Sequence, residues 1–287
     1  MKVFCRRGLV VATTVLLVSA CGQDPAAEAP PEEPSSTDSA SESSSESPSE
    51  SPSESPSPGE WQDGMLTLSS GGEVYYWCAG EGSPGVLLEA GTDSGGTDAY
   101  PTAFTDPLVA QTTVCTYDRP GTGSSDPPPR GRRTLDDLCA VQDEVLAQLP
   151  MRPPYVLIGQ SGGGNLDIAC AARHPKRVAG LVTIDSYHDD PEVLRAEGFV
   201  WHDNVEQVDY VHYSEELDTL RMPIGDFPVL IVSATEADPG GEKNQRFWLQ
   251  LSPQSRQVVI EGPHDLQEVV PDQVVSEVLE DLRAVLG

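Results

Sequence analysis

The chain of 287 residues carries 46 acidic against 17 basic side chains, a formal net charge of −29. So negative a molecule is poorly suited to bind nucleic acid or anionic lipid headgroups. With 38% hydrophobic residues it holds enough apolar side chain for one sizeable domain.

Lys2, Arg6 and Arg7 precede an apolar run from Leu9 to Val18, and the small residues Ser19 and Ala20 follow. This is the layout of a secretory signal over residues 1–20, and the run falls short of the roughly 20 residues a membrane span needs. Val18-Ser19-Ala20-Cys21 resembles a bacterial lipobox, which implies that Cys21 becomes a lipidated amino terminus anchoring the protein to a membrane. The location expected from this is the bacterial cell envelope, outside the cytoplasmic membrane, or the medium after release. Residues 21–60 consist largely of Ser, Pro and Glu, with ten carboxylates and no base. Such a segment buries nothing that offsets the entropy of folding, so a disordered spacer is expected. The folded domain is expected over residues 61–287, with 14 bases against 36 acids.

Within it, Met65–Leu68 and Glu73–Cys78 flank Ser-Ser-Gly-Gly and predict a β-hairpin. Gly85–Glu89 predicts a strand ending in the loop Ala90–Gly96. A helix is expected over Thr102–Gln111 and a strand over Thr113–Tyr117, opening into Asp118-Arg119-Pro120-Gly121. Thr134 is placed to cap a helix reaching Leu149, with Asp136 and Asp137 in its first turn. Tyr155–Ile158 is a continuous aliphatic run, as in a parallel strand buried on both faces. It leads directly into Gly159-Gln160-Ser161-Gly162-Gly163 and then a helix from Asn165 to Arg173, the strand–turn–helix setting of a nucleophile elbow. Further strands are expected at Val178–Asp185, Pro228–Ser233 and Gln257–Ile260, and an amphipathic helix from Asp272 to Leu286. Strands alternating with helices predict a mostly parallel sheet covered on both sides.

The strings VLLEAG, VCTYDRPGTGSS, YVLIGQSGGG and VAGLVTIDS together resemble the α/β-hydrolase superfamily over almost all of the chain from Trp61 onward. The resemblance implies an α/β fold with an eight-stranded, mostly parallel sheet. It also implies a catalytic triad at the carboxyl ends of the strands and no requirement for a cofactor. It places the nucleophile at Ser161 and the base at His264, in the loop after the last strand. The acid is expected at Asp238 just past the penultimate strand, with Glu236 as the alternative and Asp185 in a less usual position. Oxyanion donors are expected from the amides of Gly162 and Thr92, and Asp118-Arg119 is expected to hold the DRPG turn, with substrate contact as the alternative. Residues 187–227 occupy the place of the family's cap and carry Phe199, Trp201, Tyr210 and Tyr213 among many acids. Either a lid forming one wall of the substrate pocket or a solvated excursion fits them.

The four cysteines past Cys21 match no zinc-ligand spacing, and no metal is expected. An even number in an exported chain allows three disulfide pairings. Strand and helix neighbourhoods favour Cys78 with Cys115 and Cys139 with Cys170, free buried thiols being the alternative. The function expected is a serine hydrolase acting on a small-molecule ester or related acyl bond. An aminopeptidase of the proline-iminopeptidase type and a non-catalytic surface binding protein are the alternatives.

Overall fold

The computed structural model describes residues 61–286 apart from 238 and 239. The expected signal, Cys21 and the spacer lie outside the described residues. The strands are β1 (Gln62–Thr67), β2 (Glu73–Ala79), β3 (Val86–Glu89), β4 (Val114–Tyr117), β5 (Tyr155–Gln160), β6 (Val178–Ile184), β7 (Val229–Ala234) and β8 (Ser255–Ile260). They form one sheet in the order β1-β2-β4-β3-β5-β6-β7-β8. The hairpin pairs antiparallel, as do β2 and β4, and every later pairing is parallel. The helices are α1 (Thr102–Val109), α2 (Leu135–Gln148), α3 (Gly162–Arg173), α4 (Pro191–Glu197), α5 (Tyr210–Asp218), α6 (Gly241–Asn244), α7 (Leu266–Val269), α8 (Pro271–Asp281) and α9 (Arg283–Leu286).

Every residue of β3, β4, β5 and β7 is buried, because helices cover both faces of the sheet. Successive strand residues feed opposite cores. Leu87, Leu157, Leu181 and Ile231 pack with the α2 and α3 side, including Leu138 and Ile168. Leu88, Ile158, Val182 and Val232 pack on the other side, against Phe104 of α1 and Val274 and Val278 of α8. The expected cap at Thr134 is a full capping box, its hydroxyl receiving the Asp137 N–H while the Asp137 carboxylate receives the Thr134 N–H.

Both favoured disulfides form. Cys78–Cys115 joins directly opposed positions of β2 and β4, and Cys139–Cys170 joins α2 to α3. The segment between β6 and β7 holds α4, a 3-10 turn at Trp201–Asp203 and α5. Val208, Tyr213, Leu217 and Phe227 from it enter the α2/α3 core, so this half of the cap is packed against the body of the domain. A short helical stretch after β7, α6 with the 3-10 run Gln245–Gln250, was not marked by any apolar period in the sequence. It is held by Trp248, which is fully buried and donates its indole N–H to the Ser186 carbonyl at 3.0 Å.

Candidate active site

β5 ends against Ser161, whose φ of 52° and ψ of −126° lie in a region L residues seldom occupy. The Ser161 N–H donates to the Ile184 carbonyl at 2.8 Å, and Gly164 N–H donates back to the Ser161 carbonyl at 3.1 Å as α3 begins. Two glycines make the turn possible. A Cβ at Gly159 would lie 2.4 Å from the Gly164 nitrogen, and one at Gly163 would lie 2.3 Å from the Ala90 oxygen. Ser161 therefore stands at the positive end of a helix of 12 residues.

β8 leads through Glu261-Gly262-Pro263 to His264, whose Nδ1 lies 2.6 Å from Oδ2 of Asp185. An ionised carboxylate only accepts, so Nδ1 carries the proton and Nε2 the lone pair. Asp185 directly follows β6 with φ 47°, and its side chain is fully buried. Its Oδ1 receives the Ala234 N–H at 3.0 Å and the Gln245 amide at 2.6 Å. Hydrogen bonding to Asp185 raises the His264 pKa above the ordinary value, against an opposing effect of burial, and the charges of Asp185 and Asp265 add to the rise.

The acid expected at this place is Asp238. Asp238 lies outside the described residues, and the carboxylate at Nδ1 is that of Asp185. Nδ1 has one proton to give, and Asp185 already takes it. Glu236 is exposed and meets the histidine loop through its backbone, its N–H donating to the Gly262 carbonyl at 3.0 Å. Asp265 turns from the ring and accepts from the Gln160 amide at 3.3 Å. The other histidines pair elsewhere: His174 with Asp143, His188 with Asp218, His202 with Asp203, and His212 with Glu215 and Glu216.

The loop after β3 passes over the serine. A Cβ at Gly91 would lie 3.4 Å from the Ser161 Cβ, and one at Gly162 would lie 3.5 Å from the Thr92 nitrogen. The expected oxyanion donors, Thr92 and Gly162, are thus brought together beside Ser161. Asp118 holds the DRPG turn, receiving the Thr97 N–H and hydroxyl at 2.9 and 2.8 Å and the Ser124 N–H at 2.7 Å. Arg119 does something the sequence did not suggest: it is buried and reaches across to Ala90, Gly91 and the cap's Glu206. From the segment between β6 and β7, the Tyr213 hydroxyl donates to the Gly162 carbonyl at 2.9 Å. Beside Thr92 a cleft of about 320 Å³ opens, walled by cap residues that include Phe199, Val200 and Tyr210 together with Glu197 and Asp203. Among the described residues no group of three or more His, Cys, Asp or Glu side chains is arranged to hold a metal ion.

The chain matches the alpha/beta hydrolase fold family over residues 86–248, more than half its length. It is similar to a Caulobacter segnis protein named "Putative carbamate hydrolase RutD", with 33% identity over 125 residues. That match covers 43% of this chain and 45% of the relative, so it spans less than half the length of either. Among solved structures, a thermophilic esterase from Thermogutta terrifontis superposes with a TM-score of 0.59 at 20% identity, covering 79% of this chain and all of that one. The enol-lactonase from Burkholderia xenovorans superposes with a TM-score of 0.60 at 18% identity, covering 77% of this chain and all of that one. Likenesses at this identity speak for the fold. With the strand order, the elbow at Ser161 and the family match in agreement, the chain belongs to the α/β hydrolase fold family.

Proposed function

We propose that the protein is a serine hydrolase that cleaves a carboxylic ester or related acyl bond through an acyl-enzyme, with Ser161, His264 and Asp185 as its triad. The observation that carries this reading is the buried Asp185 carboxylate 2.6 Å from His264 Nδ1, which leaves the basic lone pair on Nε2. A serine hydroxyl is a weak nucleophile until a base removes its proton. In the proposed first step Ser161 Oγ bonds to the substrate carbonyl carbon while its proton passes to His264 Nε2. The carbonyl oxygen becomes an oxyanion facing the amides of Thr92 and Gly162. Collapse breaks the bond to the leaving group, which takes the proton from Nε2, and water repeats the sequence to free the acid. Carbamates, the substrate class in the name of the Caulobacter relative, undergo the same two steps and fall within this proposal.

An aminopeptidase reading has one observation in its favour. Among the described residues the cleft beside Thr92 is lined by Asp93, Glu197 and Asp203 and by no base, an environment that suits a substrate's free amine. Turnover of aryl esters of graded chain length against aminoacyl arylamides separates the two. Preference for the esters supports the esterase reading, and preference for the arylamides overturns it. A fluorophosphonate probe tests the chemistry itself: labelling is expected at Ser161 and lost in Ser161→Ala and His264→Ala. An unlabelled wild-type protein would instead support a non-catalytic binding role.

We further propose export and lipidation at Cys21, with residues 21–60 as a spacer. Two disulfides in the folded domain support an oxidising compartment. Fractionation of cells fed radiolabelled palmitate checks this. The label should follow the protein into membranes and be absent from Cys21→Ser, and a soluble unlabelled wild-type chain refutes it.

A further inference from the structure

The guanidinium of Arg119 has five N–H donors, and all five are taken. Nε donates to Glu206 Oε1 at 2.6 Å and Nη2 to Glu206 Oε2 at 2.9 Å, a two-pronged pair. Nη1 donates to Glu89 Oε1 at 2.7 Å and to the Ala90 carbonyl at 2.7 Å, and Nη2 also donates to the Gly91 carbonyl at 2.6 Å. Both acids and the arginine are buried. No donor remains for a substrate, so the role of Arg119 lies in the loop it grips.

That loop is the one expected to supply an oxyanion donor. A trans peptide is planar, with its C=O and N–H pointing in opposite directions. The Gly91 carbonyl and the Thr92 N–H belong to one such plane. Drawing the carbonyl onto Arg119 therefore aims the Thr92 N–H the opposite way, out of the arginine's pocket. The plane before is fixed at the Ala90 carbonyl, and the plane after by the Asp93 N–H, which donates to Glu206 Oε2 at 2.8 Å. Three successive peptides are pinned by two side chains, and one of these side chains comes from the cap.

We infer that Arg119 and Glu206 are positioning residues that hold the Thr92 amide in its oxyanion-binding orientation, so that the cap is a working part of the oxyanion hole. The inference rests on the serine hydrolase reading. It adds that the catalytic loop is incomplete without a residue 87 positions downstream of Arg119. Loss of the clamp leaves the Gly91–Thr92 peptide held only by the Ser94 N–H, which donates to the Gly91 carbonyl at 3.2 Å, and rotation about it turns a carbonyl toward the place where negative charge develops.

The test compares the full-length wild-type chain, Glu206→Gln and the triple variant Glu89→Gln, Arg119→Met and Glu206→Leu. The triple variant removes all three charges together, leaving none stranded in the interior. For a short-chain aryl ester, kcat is expected to fall about 10- to 100-fold in both variants, with KM within about 2-fold, because the lost interaction exists only in the transition state. Affinity for an arylboronic acid, which forms a tetrahedral anionic adduct on the serine, should fall in parallel. A role confined to stability would leave both quantities unchanged in the folded fraction. If wild-type Ser161 reacts with fluorophosphonate while either folded variant keeps kcat within about 2-fold, the clamp is wrong and the hydrolase reading stands. If wild-type Ser161 does not react, both fall together. A crystal structure of the wild-type phosphonate adduct decides the matter even if neither variant folds. Thr92 N–H on the phosphoryl oxygen supports the clamp, and the Gly91 carbonyl turned away from Arg119 overturns it.

Discussion

Replacing Asp185 by Asn tests the triad most directly, and the structure says which way the new amide will point. Oδ1 of Asp185 receives two donors, the Ala234 N–H and the Gln245 amide, while Oδ2 receives one, the His264 Nδ1–H. In Asp185→Asn, an NH₂ group placed at the Oδ1 position would face two donors at once. The amide oxygen therefore stays there, and the NH₂ group turns to His264 Nδ1. Nδ1 must then accept, the ring proton moves to Nε2, and the lone pair needed to take the Ser161 proton is lost. A wrong tautomer of this kind costs a serine triad on the order of 10⁴-fold in kcat, about 5 kcal/mol of barrier. The fold should survive, since volume and both Oδ1 hydrogen bonds are kept. The assay is kcat and KM on an aryl ester across pH, with the wild type, Asp185→Asn and Asp238→Asn side by side. In the wild type the base must be neutral, so activity falls as pH drops through the His264 pKa. Asp185 raises that pKa, so the acid limb should lie above the ordinary histidine value of about 6.5. Any residual activity in Asp185→Asn should titrate lower, because the raising hydrogen bond and charge are gone. The reasoning is refuted if Asp185→Asn keeps activity within about tenfold of wild type while Asp238→Asn loses more.

Asp167 of α3 is buried, and its Oδ1 receives the Gln142 amide at 2.8 Å while Oδ2 has no hydrogen-bond partner among the described residues. Burial first, and then the neighbouring Glu89, push its pKa well above the carboxylate range. A raised folded-state pKa means the native protein binds this proton more tightly, so stability drains as pH climbs from the unfolded value near 4 toward the folded one. Asp167→Asn should remove a slope of up to about 1.4 kcal/mol per pH unit in that window and be the more stable protein above it, read from urea unfolding at several pH values. An unchanged slope would show that the site is already neutralised another way. Removing the Cys139–Cys170 bridge, which closes a loop of 31 residues, should cost about 3–4 kcal/mol of unfolding free energy on chain-entropy grounds. A urea midpoint that does not move would show that the reduced unfolded chain is already constrained. Gly163→Ala puts a Cβ 2.3 Å from the Ala90 oxygen and 2.6 Å from the Glu89 oxygen, so it presses on the proposed oxyanion loop itself. Turnover should fall by at least about tenfold, beyond any fall in the folded fraction by circular dichroism; matching losses would place the damage in the fold alone.

Features carried by local pattern could be read from the sequence. The aliphatic runs that became β3, β5 and β7 are strands because covered parallel strands need no polar face. The glycines around Ser161 announce a turn too tight for side chains, and His264 announces itself by lying between β8 and the helices that follow. The cysteine pairing was favoured because each partner sits on an element expected beside its mate's. The acid was hidden for a geometrical reason. Asp185, Glu236 and Asp238 all lie between the serine and the histidine in chain order, and only the sheet shows which carboxylate reaches Nδ1. The Arg119–Glu206 pair was hidden more deeply, since nothing local links a turn residue to an acid far along a polar cap. The one available signal was an arginine next to Asp118 in a turn that needs only the aspartate.

The place of the proposed acid after β6 also accounts for the structure that follows β7. The two strands are hydrogen-bonded neighbours, with Ile184 opposite Val232, so their ends lie roughly 5 Å apart and either can deliver a carboxylate to the same imidazole. Delivery from β6 puts Asp185 in a strained backbone conformation at φ 47° and buries its charge, and both demand compensation from nearby. β7 and its loop provide it. The Ala234 N–H, at the end of β7, and the Gln245 amide both bind Oδ1. Gln245 is itself oriented, its carbonyl receiving the Ser233 hydroxyl at 2.8 Å while that oxygen receives the Gln257 amide of β8 at 2.8 Å. A chain of neutral hydrogen bonds thus runs from β8 through β7 to the carboxylate, in the place where the more usual arrangement would put the acid. Relieved of supplying the charge, the β7 loop holds it instead. The short helical stretch from Gly241 to Gln250, pinned by the buried Trp248, is what brings Gln245 within reach.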